Sequence, residues 1–249
     1  MYNSELKVKR YALESYGCQM NMADSELVDG ILKDIGLKKT KNLNDADAIF
    51  VNTCAIRENA EKKIHSRLGN FYKLKREKPH LIIGVLGCMA QNLKNDLLKN
   101  KPYIDIILGP DSYRNLPKLM NRHMMDQNSI VDTKLSKYEV YNDMFPTRKD
   151  GVNAWVSIMR GCDKFCTFCV VPFTRGREKS REAEEIEQEV RLLVSRGVRE
   201  IVLLGQNVNA YGKRGLKRPV PFHELLYRIA SIPGLRRLRF TTSHPKDFT

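Results

Sequence analysis

No stretch of the 249-residue chain approaches the roughly 18 apolar residues of a membrane-spanning helix. The opening Met1-Tyr-Asn-Ser-Glu-Leu-Lys-Val-Lys-Arg10 is too polar for a secretory signal peptide. Low-complexity tracts are absent, and so is any repeat beyond a strand–helix unit. These absences make a cytoplasmic protein without membrane contact the expectation. Cysteine is sparse, with six in all, and in a reducing compartment six thiols argue for metal binding or catalysis rather than disulfides. Negative charge is also in short supply: 43 Lys and Arg face 29 Asp and Glu, a net charge of +14. Residues 151–249 alone hold 18 basic against 10 acidic residues. An excess of this kind is the footprint of a polyanionic partner, nucleic acid first, although a solvated basic surface would look the same.

What is present is 42% hydrophobic and 29% charged, the balance of a globular chain large enough for one large or two medium domains. Over the first 126 residues, short apolar runs alternate with helical patterns. Strands are expected at 9–16, 46–52, 81–87 and 105–108. Helices are expected at 25–35, 58–75, 93–99 and 116–125. That alternation predicts an α/β fold with a doubly wound parallel sheet. Residues 127–150 lack a period and read as a linker with one extended segment at 129–132. From 151 on, strands at 152–159, 200–205 and 235–242 alternate with helices at 182–195 and 222–230. These are the first three βα units of a barrel whose carboxyl rim carries the chemistry. Three strands cannot close a barrel, so the chain is expected to be a fragment. The predicted domains are thus 1–126 and 151–249.

The cysteines sort into two sets of three. Cys162, Cys166 and Cys169 form a C-x3-C-x2-C run in the loop after the strand at 152–159. Three thiolates in eight residues must wrap one object. A compact iron–sulfur cluster suits them, because a tetrahedral zinc site wants a fourth ligand and the next histidine is His223. Three ligands on a four-iron cluster leave one iron open. A thioredoxin-like Cys166-Thr-Phe-Cys169 pair and inert buried thiols are the blander readings. Cys18, Cys54 and Cys88 each follow one of the first three expected strands, and in a parallel sheet those ends share one edge where ligands bind. A second three-thiolate site follows, against ordinary buried cysteines.

A C-x3-C-x2-C loop after the first barrel strand resembles the radical S-adenosylmethionine (SAM) superfamily. Together with Cys18, Cys54 and Cys88 it is similar to the methylthiotransferases. Ser15-Tyr-Gly-Cys-Gln-Met-Asn21 with Asp24-Ser-Glu26, Asn52-Thr-Cys-Ala-Ile-Arg-Glu-Asn-Ala-Glu61, Gly87-Cys-Met-Ala-Gln91 and Val171-Pro-Phe-Thr-Arg-Gly-Arg-Glu178 resemble their tRNA-modifying branch. The resemblance implies two 4Fe-4S clusters, a radical SAM cluster on Cys162, Cys166 and Cys169 and an auxiliary one on Cys18, Cys54 and Cys88. It implies SAM as cofactor, and transfer of a methylthio group to carbon 2 of N(6)-dimethylallyladenosine at position 37 of tRNA, in the anticodon loop. A reductant such as a flavodoxin or ferredoxin, and a monomeric state, are implied too. Phe168 would border SAM, with Gln206 and Asn207 as further SAM or substrate contacts. Arg175, Arg177, Lys179 and Arg181 would meet tRNA phosphates. Core packing, a plain polar loop and ordinary surface charge are the respective alternatives. His244 matches a family phrase without an assigned role. Further barrel strands and a C-terminal TRAM domain are family features these residues do not include, so the fragment itself is expected to have impaired tRNA affinity and turnover. The competing functions are a methylthiotransferase acting on threonylcarbamoyl-adenosine or a ribosomal protein, a non-catalytic iron–sulfur electron carrier, and a zinc-dependent RNA-binding module.

Overall fold

The computed structural model describes residues 8–55, 58–144 and 151–248, with the side chains of 58–62 set aside. Ile56 and Arg57 of the Asn52-to-Glu61 phrase, and 145–150 of the expected linker, lie outside the described residues. The chain divides into two compact units, Met1–Leu135 and Ser136–Thr249.

In the first unit the elements run β1 (Arg10–Tyr16), α1 (Gln19–Asp34), β2 (Lys38–Lys39), β3 (Ala48–Thr53), α2 (Glu58–Glu77), β4 (Ile82–Gly87), α3 (Cys88–Asn100), β5 (Ile106–Leu108), α4 (Leu116–Asp126) and β6 (Ile130–Asp132). The six strands form one parallel sheet in the order β2-β1-β3-β4-β5-β6. β3 and β4 are buried along their whole length, which is why they read as unbroken apolar runs rather than alternating ones. Ile49, Val51, Ile83, Val85 and Ile107 pack with Ile64, Leu68 and Phe71 of α2 and with Met89 and Leu97 of α3. α1 and α4 touch each other and the sheet outside that cluster.

One strand of this sheet was not expected. β2 is two exposed lysines on the sheet edge, too short and too polar to carry a pattern. β6 falls on the extended segment expected at 129–132, but it belongs to the sheet rather than to a linker, pairing with β5. α1 starts earlier than periodicity predicts, and α3 is two helical segments broken at Lys94, the first lying ahead of the helix expected at 93–99. The first turns of α1 bury Asn21, Asp24 and Ser25, so its inner face is polar where a helix pattern looks for apolar residues. Those groups are satisfied: Asn52 donates to Ser25 at 2.9 Å and Tyr113 to Asp24 at 3.4 Å. Further along α1, buried Asp29 accepts from Tyr11 at 2.8 Å and pairs with Lys33 and Lys39. Its burial favours the neutral acid, but the lysines and Tyr11 outweigh that and hold its carboxyl below the usual range.

The second unit runs β7 (Asn153–Ser157), β8 (Met159–Arg160), α5 (Val171–Thr174), β9 (Lys179–Ser180), α6 (Ala183–Ser195), β10 (Glu200–Leu204), α7 (Phe222–Ala230) and β11 (Arg237–Thr241). β7, β10 and β11 are parallel neighbours in the order β11-β10-β7. They are joined through α6 and α7, as successive βα units require. Ala154, Val156, Ile201 and Leu203 meet Ile186, Val190, Leu225 and Ile229 of the helices in one core. The single strand expected over 152–159 is two. β7 ends at Ser157, and β8 turns off to pair antiparallel with β9. Ile158 sits at the break, donating to Leu204 and accepting from Arg181, so the backbone stays paired while it changes sheets.

Among the described residues no helix is long and apolar enough to cross a membrane.

Candidate metal centres

None of the six cysteines is joined to another in a disulfide. In the first unit their placement follows from strand register. Tyr16 of β1 is level with Thr53 of β3, and Thr53 is level with Gly87 of β4. The three neighbouring strands therefore end together. Cys54 and Cys88 are the next residues in the chain, and Cys18 follows one residue later. Cys18 is the N-cap of α1 and Cys88 is the first residue of α3. Helix N-termini favour negative charge, the charge that a metal-bound thiolate carries. Gly17 makes the close approach possible: with φ of +145°, a Cβ there would lie 2.6 Å from Cys54 Cβ.

Beneath these cysteines lies a buried amide pair. Asn21 donates to the Thr53 carbonyl at 2.9 Å and to Asn52 Oδ1 at 3.2 Å, and Asn52 donates back to the Asn21 carbonyl at 2.9 Å. The Cys18 thiol donates to Asn21 Oδ1 at 3.2 Å. Sequence reasoning quoted both asparagines in their phrases but gave them no role. The available signal was position, Asn21 three residues after one cysteine and Asn52 two before the next. Their role is to tie α1 to β3 and so hold Cys18 and Cys54 at one edge.

In the second unit the loop between β8 and α5 carries Cys162, Cys166 and Cys169. It is braced by the returning segment 176–178. Cys162 N–H donates to the Gly176 carbonyl at 3.1 Å. Asp163 accepts from Arg177 Nε at 2.6 Å and from Glu178 N–H at 3.1 Å. The Arg177 contact, ahead of burial, holds the Asp163 carboxyl below its ordinary range. Within the loop, Cys169 N–H donates to the Cys166 carbonyl at 2.9 Å, which curls the chain around the space between the thiols. Burial pushes the Cys162 thiol up, so a metal or another cation must offset that burial to hold it as a thiolate.

Gly161 sets the entry to this loop. Its φ is +77°, and a Cβ there would lie 2.0 Å from the Arg177 carbonyl oxygen. Gly161→Ala is expected to cost about 1–2 kcal/mol for the left-handed backbone alone, with the overlap adding to it. The substitution should lower both the unfolding midpoint and the iron retained by the second unit. Wild-type iron content in that variant would show that the loop tolerates displacement.

Gln206 and Asn207, expected to reach SAM or substrate, brace the protein itself. Gln206 Oε1 accepts from Gly161 N–H at 2.7 Å. Asn207 is fully buried; it donates to Asp247 at 2.6 Å and accepts from His244 N–H at 3.1 Å. Asp247 also pairs with Lys164 of the loop at 2.6 Å and with Lys213 at 2.7 Å. Burial alone would lift the Asp247 carboxyl, but Lys164, Lys213 and Asn207 hold it well below the usual carboxylate range. His244 brings its Nε2 to 3.6 Å from Cys166 Sγ, a placement the sequence did not reveal.

The four basic residues expected at tRNA phosphates separate by burial. Arg175, Lys179 and Arg181 are buried. Lys179 donates to the Ser136 carbonyl at 2.7 Å, and Arg181 pairs with buried Glu189 at 2.7 Å. A charge this deep needs a partner inside the protein, and these have one, so they do not present a phosphate-binding face. Arg177 alone is exposed, paired with Asp163. Phe168 is 91% exposed, and Phe165 stands edge-on to Phe173.

Among the described residues no three His, Cys, Asp or Glu side chains converge closely enough to hold a single metal ion. The donor sets still fit a four-iron cluster, whose thiolates bind different irons and so stand farther apart than the ligands of one ion. Each set supplies three soft sulfur donors, the first from three neighbouring strand ends and the second from one loop.

Comparison with known proteins follows the same division. Residues 156–247 match the model of the radical SAM superfamily. Residues 10–109 match uncharacterized protein family UPF0004. The chain therefore joins a region similar to UPF0004 to a region similar to the radical SAM superfamily. It is similar to the tRNA-2-methylthio-N(6)-dimethylallyladenosine synthase of Parabacteroides distasonis, with 49% identity over 97% of this chain and 53% of that protein. The proteins of the same name from Halalkalibacterium halodurans and Staphylococcus aureus are 46% and 45% identical, covering 96% and 97% of this chain and 45% and 47% of theirs. The chain thus spans about half the length of the curated relatives it matches. Among solved structures, the radical S-adenosylmethionine methyltransferase TsrM of Kitasatospora setae, with cobalamin and a [4Fe-4S] cluster bound, aligns over 81% of this chain and 49% of its own. Its TM-score is 0.53 at 13% identity, a likeness of fold.

Proposed function

We propose that this chain carries both cluster sites of an enzyme that transfers a methylthio group to carbon 2 of N(6)-dimethylallyladenosine in tRNA. The observation that carries the reading is the common level at which β1, β3 and β4 end, delivering Cys18, Cys54 and Cys88 to one sheet edge. An electron carrier typically ligates each four-iron cluster with four cysteines, whereas each set here offers three and leaves one iron open. Residues 1–126 would hold the auxiliary 4Fe-4S cluster and 151–249 the radical SAM cluster. Bound there, the clusters and SAM supply the electron transfer, radical and sulfur chemistry that the polypeptide lacks.

The chain's own residues position and shield. Gln206 fixes Gly161 at the loop entry, Asp163 with Arg177 closes the loop, and Lys164 with Asp247 pins its middle. Exposed Phe168 is free to border the SAM adenine. Of the basic candidates only Arg177 is left to approach phosphate. A methylthiotransferase also needs an external reductant, and a tRNA substrate points to the cytoplasm.

The test is nucleoside analysis of tRNA bearing N(6)-dimethylallyladenosine. It is run with this chain and with a chimera completed by the remaining half of the Parabacteroides distasonis relative. The 2-methylthio nucleoside should form in the chimera only when SAM and reductant are both present. A chimera with both clusters loaded that modifies threonylcarbamoyl-adenosine or a ribosomal protein instead would move the substrate assignment.

A further inference from the structure

The second unit contains a histidine that the cluster-site reading does not use. His244 follows β11 and caps the short turn Pro245–Asp247. Its Nδ1 accepts from Lys246 N–H at 3.2 Å. A ring nitrogen that accepts carries no proton, so the ring proton lies on Nε2. Nε2 is the atom 3.6 Å from Cys166 Sγ. The orientation is held from a second direction, because His244 N–H donates to Asn207 Oδ1, and Asn207 in turn donates to Asp247. Asp247 grips Lys164, two residues before Cys166. The same buried hub therefore fixes both partners of the contact, the imidazole and the cysteine loop.

We propose that His244 is a positioning residue whose Nε2–H donates a hydrogen bond to the Cys166 thiolate and so raises the reduction potential of the cluster held by Cys162, Cys166 and Cys169. The proposal rests on that cluster assignment. The physical basis is charge. Reduction adds an electron that spreads over the thiolate sulfurs, and a hydrogen bond to sulfur stabilises the more negative state. The cap and the sulfur contact use different ring nitrogens, so one side chain serves both.

The experiment uses the reconstituted chain with Cys18, Cys54 and Cys88 replaced by alanine, so that any cluster signal comes from the second unit. Protein labelled with 15N only at histidine is reduced and studied by pulsed electron paramagnetic resonance. A weak 15N coupling, absent from His244→Asn, is expected. Asparagine keeps the capping acceptor but is too short to reach the sulfur, and its cluster should titrate at a more negative potential than the parent. Three results overturn the proposal: no histidine coupling to an intact cluster, the strong coupling of a directly ligated nitrogen, or a His244→Asn potential equal to the parent's. If His244→Asn assembles no cluster, the coupling in the parent decides alone. Absence of any four-iron cluster in the parent would instead overturn the assignment on which the proposal rests, and the proposal with it.

Discussion

Cys166→Ala is expected to abolish reductive cleavage of SAM, leaving no 5′-deoxyadenosine above the protein-free background. The loss should be chemical rather than structural. The loop is held by contacts that do not involve the Cys166 side chain: Gly161 to Gln206, Asp163 to Arg177 and Glu178, and Lys164 to Asp247. With those in place the variant keeps its fold but offers two thiols where a four-iron cluster needs three to leave only one iron open. Replacing Cys18, Cys54 and Cys88 together should have a different result. Those residues belong to the first unit, so 5′-deoxyadenosine should still form while no methylthiolated nucleoside appears. Chromatography of dithionite-reduced reactions reads both products. SAM cleavage surviving Cys166→Ala, or vanishing with the first triad while the second cluster is intact, would break this division of labour.

Arg181→Ala is expected to destabilise the second unit by about 3–5 kcal/mol, the usual cost of leaving a buried charge without its partner. Arg181 and Glu189 are both nearly inaccessible and meet at 2.7 Å. Arg181 also donates to the Ser157 carbonyl at 2.9 Å, where β7 ends. Trp155, the single tryptophan of the sequence, lies on β7, so its fluorescence reports the unfolding of this unit in denaturant. The measurement also decides between two roles. If Arg181 served to bind phosphate, its loss would weaken tRNA binding and leave stability unchanged. A stability change below about 1 kcal/mol would favour that role.

The architecture was legible where burial is two-sided or the helix face is apolar. β3, β4 and α7 declare themselves, because continuous apolar runs and a clean 3.6-residue stripe have one physical reading. The early turns of α1 did not, since Asn21, Asp24 and Ser25 are buried and polar, and a buried polar face imitates a surface. β2 was invisible because an edge strand of two lysines has no pattern to show. At the sites, the cysteine sets were legible from spacing and from strand ends. The roles of the neighbours were not. Gln206 and Asn207 lie at a strand end, where substrate contacts are common, and only the fold shows that a partner waits at Gly161, His244 and Asp247. Lys179 and Arg181 look like surface charge beside a basic loop, yet both are buried, Lys179 against the Ser136 carbonyl and Arg181 against Glu189 of α6. His244 lies 78 residues from Cys166, and no local pattern links the two.

The central claim is that one polypeptide holds two separate three-thiolate clusters. Anaerobic reconstitution followed by iron and sulfide analysis with Mössbauer spectroscopy tests it most directly. The account predicts about eight irons per chain as two four-iron clusters, falling to about four when either cysteine triad is replaced by alanine. Bound zinc in place of iron, or loss of all iron on removing either triad alone, would contradict it.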